Sequence, residues 1–245
     1  MQSGKQRRRL QMRRARILFL TTIAMVLPLH VVAQDVAQPA AATTVYEPGD
    51  AFLPGCRVYA FVGKTGLGHE HGVVGQLQSG RLHLDAAQDA GQLVFDMRSF
   101  TADTDVARQY VGLSGATPAD TRQEVRTNML GTAVLDAARY PTAAFVVRTV
   151  AKLPQPSSKG LAQYQLDGDF TLHGVTRPIK VVAEAEEQKG WLHLRGGFTM
   201  LQTQFGITPF TKAFGVVGVA DELKVYGDLW FAKERQEVAA TATAP

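Results

Sequence analysis

The chain has 245 residues, with 26 Lys and Arg against 22 Asp and Glu, and a formal charge of +4 at pH 7. A single cysteine, Cys56, excludes any internal disulfide. The basic excess is confined to the start: Lys5, Arg7, Arg8, Arg9, Arg13, Arg14 and Arg16 occur there without one acid, so net charge is no guide to the folded part.

An apolar run over residues 17–29 follows, too short to span a bilayer comfortably. Val31-Val32-Ala33 then places small or β-branched residues at the −3 and −1 positions of a cleavage site. This is the pattern of a secretory signal peptide over 1–33, cut after Ala33. Arg13-Arg14 resembles a twin-arginine signal, but Ala15-Arg16-Ile17 fits that pattern poorly, and the general secretory route is expected. Cutting there leaves 19 basic against 22 acidic residues, a net charge of −3. No basic patch remains for nucleic acid, and no transmembrane segment remains after processing. The expected location is the periplasm or the exterior.

Residues 34–50 are rich in Ala, Thr and Pro without periodicity and read as a flexible tether. Leu53-Pro54-Gly55-Cys56 looks like a lipoprotein box, yet it lies more than about twenty residues beyond the apolar run it should adjoin. Cys56 therefore reads as the start of a strand. A domain over 51–235 follows, and 236–245 reads as a disordered tail.

Within the domain, apolar and polar residues alternate, the mark of strands with one buried face. Strands are expected over 57–63, over 69–78 and 81–86 paired about Ser79-Gly80, and over 92–100. The period then changes. Residues 120–135 have helical character, with Val125, Met129 and Leu130 as apolar anchors, Asp120 or Thr121 as N-cap, and Tyr140-Pro141 as the stop. Strands resume over 142–152, 161–172, 177–187, 191–201 (turning at Lys189-Gly190) and 221–232. His173-Gly174 supplies a two-residue reversal between two of them, because glycine takes positive φ cheaply. Pro178, lacking an N–H, is expected near a strand start. This order gives an all-β fold with one helical insertion, an extended antiparallel barrel of about eight strands with a lumen wide enough for one small ligand. A two-sheet sandwich is the alternative architecture.

Several blocks resemble the YceI-like family of periplasmic lipid-binding barrels over about 58–231: Gly68-His69-Glu70-His71 leading to Gly75; Asn128-Met129-Leu130-Gly131 with Val134-Leu135-Asp136 and Arg139-Tyr140-Pro141; Thr171-Leu172-His173-Gly174-Val175-Thr176-Arg177-Pro178; and Gly197-Phe198-Thr199, Phe205-Gly206-Ile207 and Asp221-Glu222-Leu223. Gln204 stands where the family usually has Asp, which removes an expected carboxylate from that loop. The resemblance implies a lipocalin-like barrel whose apolar lumen holds a long-chain isoprenoid or similar amphiphile. No cofactor beyond such a lipid is expected.

Strand phase assigns Phe61, Phe95, Phe145, Phe170, Leu172, Leu194, Leu229 and Phe231 to the inward faces as lumen-lining, ligand-binding candidates; equally, they could fill a solid core. His69 and His71, two apart on an expected strand, share a face, and with His173 they are the weak metal candidates. Glu70 points away from them. No Gly-x-Ser-x-Gly, His-Glu-x-x-His or Walker-type loop is present, Ser99 and Ser114 sit in ordinary settings, and Asp103 and Asp105 read as a solvated turn, so no enzyme is expected. The readings carried forward are an exported lipid-binding barrel, a histidine-dependent metal-binding or redox-linked envelope protein, and a ligand-free structural barrel. A homodimer through an edge strand is consistent with each.

Overall fold

The computed structural model describes residues 43–239. The expected leader and its cleavage site lie outside the described residues. Eight antiparallel strands close into a barrel: β2 (Arg57–Gly66), β3 (His71–Leu82), β4 (Gly91–Ala102), β5 (Thr142–Lys152), β6 (Ala162–Leu172), β7 (Val175–Gln188), β8 (Trp191–Leu201) and β10 (Val217–Ala232), with β10 pairing back to β2. A short β9 (Thr211–Lys212) adds to β10. This up-and-down order needs only tight turns between neighbours, which is why local alternation reveals it. The sandwich alternative does not occur.

The β6–β7 turn is as the sequence implies. Leu172 pairs Val175 across His173 and Gly174, whose φ values are +51° and +75°. Two positive φ angles make the turn whose twist matches the flanking strands. Pro178 sits deeper in the strand than expected, opposite Asp169. Pairs alternate between bonded and unbonded from the turn outward, so Pro178 owes β6 no hydrogen bond. On its other side β7 meets β8 only from Val182 onward.

Four expectations are corrected. Residues 71–82 form one strand, and Ser79-Gly80 is not a turn; an irregularity in pairing with β4 falls between Leu77 and Ser79. The insertion holds two helices, not one: α1 (Asp105–Tyr110), capped by Thr104, and α2 (Ala119–Leu130), which follows Pro118 without a side-chain cap. The segment 34–50 is not wholly a tether and 236–245 is not wholly a tail, for β1 (Thr43–Tyr46) pairs with β11 (Gln236–Ala239) in a separate ribbon. Asp50 and Ala51 also make isolated bridges, to Arg81 of β3 and Phe231 of β10.

The barrel has two unlike ends. At one, here the rim, lie the β2–β3 and β6–β7 turns, the helical insertion and the stretch from β8 to β10. At the other, the base, Phe52 and Phe231 are almost completely buried, and Tyr46 packs edge to face on Phe52 and on Trp191, whose rings are tilted against each other. Cys56 is fully buried beside them, with Trp230 N–H reaching its Sγ at 3.3 Å.

Candidate functional site

The lumen contains a cavity of about 250 Å³. Inward-facing residues of every barrel strand line it, and Val125, Asn128 and Met129 of α2 roof it from the rim. No charged side chain lines it, and its only polar side chains besides the histidine His71 are Asn128 and Gln202.

Of the eight lumen candidates, Phe95, Phe145, Phe170, Leu172, Leu194 and Leu229 line this cavity, and Phe61 and Phe231 do not. Phe231 has the inward phase of Leu229 but lies below the cavity, in the packed base. Phe61 is on the opposite face: Val58, Ala60 and Val62 are the inward residues of β2, while the Lys224 ammonium stands 5.8 Å from the Phe61 ring centre outside. Tyr59, also outward, is nevertheless buried, because Tyr110 of α1 stacks on it at 3.7 Å. The strand is covered on both faces, and hydrophobicity alone does not reveal its phase.

At the rim the sequence-based candidates separate. His69 lies in the loop before β3 and is exposed, not on a strand face with His71. His173 packs its ring against Tyr140 at 4.4 Å. Among the described residues no group of three or more His, Cys, Asp or Glu is spaced to hold a metal ion.

His71 instead belongs to a polar cluster. Its Nδ1 lies 2.6 Å from Asp103 Oδ2. Asp103 Oδ1 accepts from Gly72 N–H at 3.0 Å and Arg108 Nη1 at 3.2 Å. Asp103 is 1 % exposed, which overturns its reading as part of a solvated turn. Burial pushes its carboxyl up, but His71, the Gly72 amide and Arg108 outweigh burial and hold it below the ordinary range. It is thus a carboxylate, and Nδ1 of His71 carries the proton that bonds it. Arg108 is spent locally, its other N–H groups reaching the carbonyls of Gly115, Ser114 and Glu70. The geometry depends on a close approach: a Cβ on Gly72 would stand 2.8 Å from the Ala107 backbone, so α1 lies directly on β3. What remains facing the cavity is Nε2 of His71, without a protein partner among the described residues.

The loop after β8 has a carboxylate contact despite Gln204: Asp221 accepts from Thr203 N–H at 2.9 Å and Thr203 Oγ1 at 2.6 Å. Arg177 Nε bonds the Gln204 carbonyl at 3.1 Å, tying β7 to this loop where β8 no longer pairs with it.

The closed eight-stranded barrel agrees with comparison to known proteins. The model of the YceI-like domain matches residues 57–231, well over half of the chain. The chain belongs to the YceI-like family. A UPF0312 protein of Shewanella denitrificans is 36 % identical over 85 residues, 34 % of this chain and 38 % of that protein. One of Pseudomonas savastanoi is 39 % identical over 79 residues, 30 % of this chain and 38 % of its own length. These alignments cover well under half of either relative. The crystal structure of Burkholderia cenocepacia BcnA superposes with a TM-score of 0.51 at 17 % identity, covering 74 % of this chain and 99 % of that one, and at that identity it shows a shared YceI-like fold. Among the described residues no helix is long and apolar enough to cross a membrane.

Proposed function

We propose that this YceI-like barrel is an exported carrier, periplasmic or secreted, that holds the tail of a neutral amphiphile of isoprenoid or fatty type in its lumen and the polar head beside His71. The observation that carries this reading is the lining: a cavity walled by apolar side chains, with no charge and with His71 at its polar end. A phosphate or carboxylate head would find no cation in the lining, and the charge of nearby Arg108 is already paired with Asp103. With Nδ1–H committed to Asp103, Nε2 is the ring atom of His71 left for the head, which suits a hydroxyl or amide, groups that both donate and accept.

Volume limits the tail: the cavity measures about 250 Å³. Each buried methylene stabilises the complex by ~0.8 kcal/mol, against association costs of about 4–15 kcal/mol, so tight binding requires a long chain. The same volume favours the second reading, a structural barrel without ligand, since small-molecule pockets usually span about 300–1,000 Å³.

Organic extraction of the purified protein followed by mass spectrometry decides between them. A neutral lipid recovered in near-stoichiometric amount supports the carrier. A protein that yields none, and that takes up neither decanol nor farnesol in native mass spectrometry, is a scaffold.

A further inference from the structure

The barrel wall does not end level at the rim. β2 pairs with β3 only as far as Val62 opposite His71, yet it continues to Gly66, paired there with β10 alone: Lys64 with Val219, Thr65 with Gly218, Gly66 with Val217. β9 adds a third strand through Lys212 and Val217. At ~3.3 Å per residue, the four residues 63–66 carry this ribbon about 13 Å beyond the level of His71.

Its tip is apolar. Phe214 is fully exposed, Leu67 74 % and Val216 51 %. Leu67 N–H bonds the Val216 carbonyl at 2.9 Å, joining the two turns. Ala213, Phe214 and Gly215 all have positive φ, a conformation costly for the first two, and one that holds the Phe214 ring clear of the ribbon. Phe210 and Val219, on either side of this turn, line the lumen, so the arm that carries the tip also forms part of the cavity wall. Lys64 stands on the ribbon without an ion pair among the described residues, and Lys212 beside the tip pairs with Glu124 of α2.

We propose that the Leu67–Phe214–Val216 tip inserts into the surface of a lipid bilayer and sets the mouth of the barrel against it. An apolar tip on a projecting arm, with a lysine at headgroup level, is what a shallow and reversible membrane contact requires. Docking stands on the ribbon itself; only its purpose, loading the lumen from the membrane, rests on the carrier reading.

The test is flotation of purified protein with phosphatidylcholine vesicles, with and without phosphatidylglycerol. Wild-type protein is expected to float with vesicles, and the double variant L67S/F214S to lose at least tenfold of that binding while keeping its uptake of decanol from solution. Because Trp191 and Trp230 are buried, F214W supplies a separate reporter, whose emission is expected to shift to the blue on adding vesicles. Wild-type protein that stays unbound with both vesicle types, or a double variant that floats equally well, overturns the proposal. So does sedimentation showing that wild-type protein self-associates through the tip and L67S/F214S does not, which would make a second copy the occupant. A protein that floats but takes up no amphiphile refutes the carrier and leaves the docking intact.

Discussion

Asp103 and His71 meet at 2.6 Å although 32 positions separate them in the chain, and the contact fixes α1 to the rim of the barrel. Asp103 is buried with every partner aimed at its charge, so removing the carboxylate strands Arg108 and the Gly72 amide. Asp103→Ala is expected to cost about 3–5 kcal/mol, and His71→Ala, which leaves the Arg108 contact in place, about 1–3 kcal/mol. Urea midpoints at pH 7 check both. A D103A loss within 1 kcal/mol of zero contradicts this account of the cluster.

The same carboxylate shapes the acid limb of stability. Its folded-state pKa lies below the ordinary 3.8. The folded state therefore binds the proton less readily than the unfolded chain, and the contribution is complete above about pH 4 and lost as pH falls through the folded value. Stability followed between pH 7 and pH 2 should fall more gently in Asp103→Asn than in the wild type over the acid end. Parallel curves for the two proteins are the contrary result.

The β6–β7 turn can be tested locally. A Cβ at Gly174 would meet the Tyr140 ring at 2.7 Å and sit at positive φ. Gly174→Val should destabilise by about 1–3 kcal/mol. His173→Asn, a residue favoured at this turn position, should leave the melting temperature unchanged or slightly higher. Equal effects from the two substitutions would mean that the turn does not set the register.

Burial pushes the Cys56 thiol up to about 12, beyond the opposing effects of the Trp230 backbone and Arg57. The folded protein should therefore resist thiol reagents at pH 8 and react only through opened states. Burial, with Asp228 and Tyr59 nearby, raises Tyr110 to about 12 as well. Both groups hold their protons more tightly when folded, so their contribution is complete below about pH 9 and declines as pH rises toward 12. Rapid modification of native protein at pH 8 would show an accessible thiol and contradict the burial.

The parts legible in the sequence are those set by neighbours along the chain. His173-Gly174 and Lys189-Gly190 announce their turns, and alternation announces the strands that join them. Asp103 stayed hidden because its partners come from β3 and the end of α1, and Thr101-Ala102-Asp103-Thr104 by itself resembles any polar turn. β1 and β11 were hidden for a like reason: each has four residues, and their pairing joins opposite ends of the domain. The phase of β2 failed differently. Phe61 is larger than Val58, Ala60 and Val62 and by size points to the inward face, but α1 covers part of the outside, where Tyr59 stacks on Tyr110, and lets aromatic residues sit there.

That error in phase yields the sharpest test of the lumen. Ala60 lines the cavity, and Phe61, its neighbour, points away from it. Ala60→Phe puts a ring into a space of about 250 Å³, at an overpacking cost of about 1–3 kcal/mol, and should abolish or strongly reduce uptake of decanol. Phe61→Ala removes far more apolar surface, but from the outer wall, where it costs a contact with Lys224 and leaves the cavity intact. Its uptake should equal that of the wild type. Native mass spectrometry of both variants, each checked for a cooperative melt, reads the difference directly. If Phe61→Ala impairs uptake and Ala60→Phe does not, the ligand lies outside the barrel and the lumen is only its core.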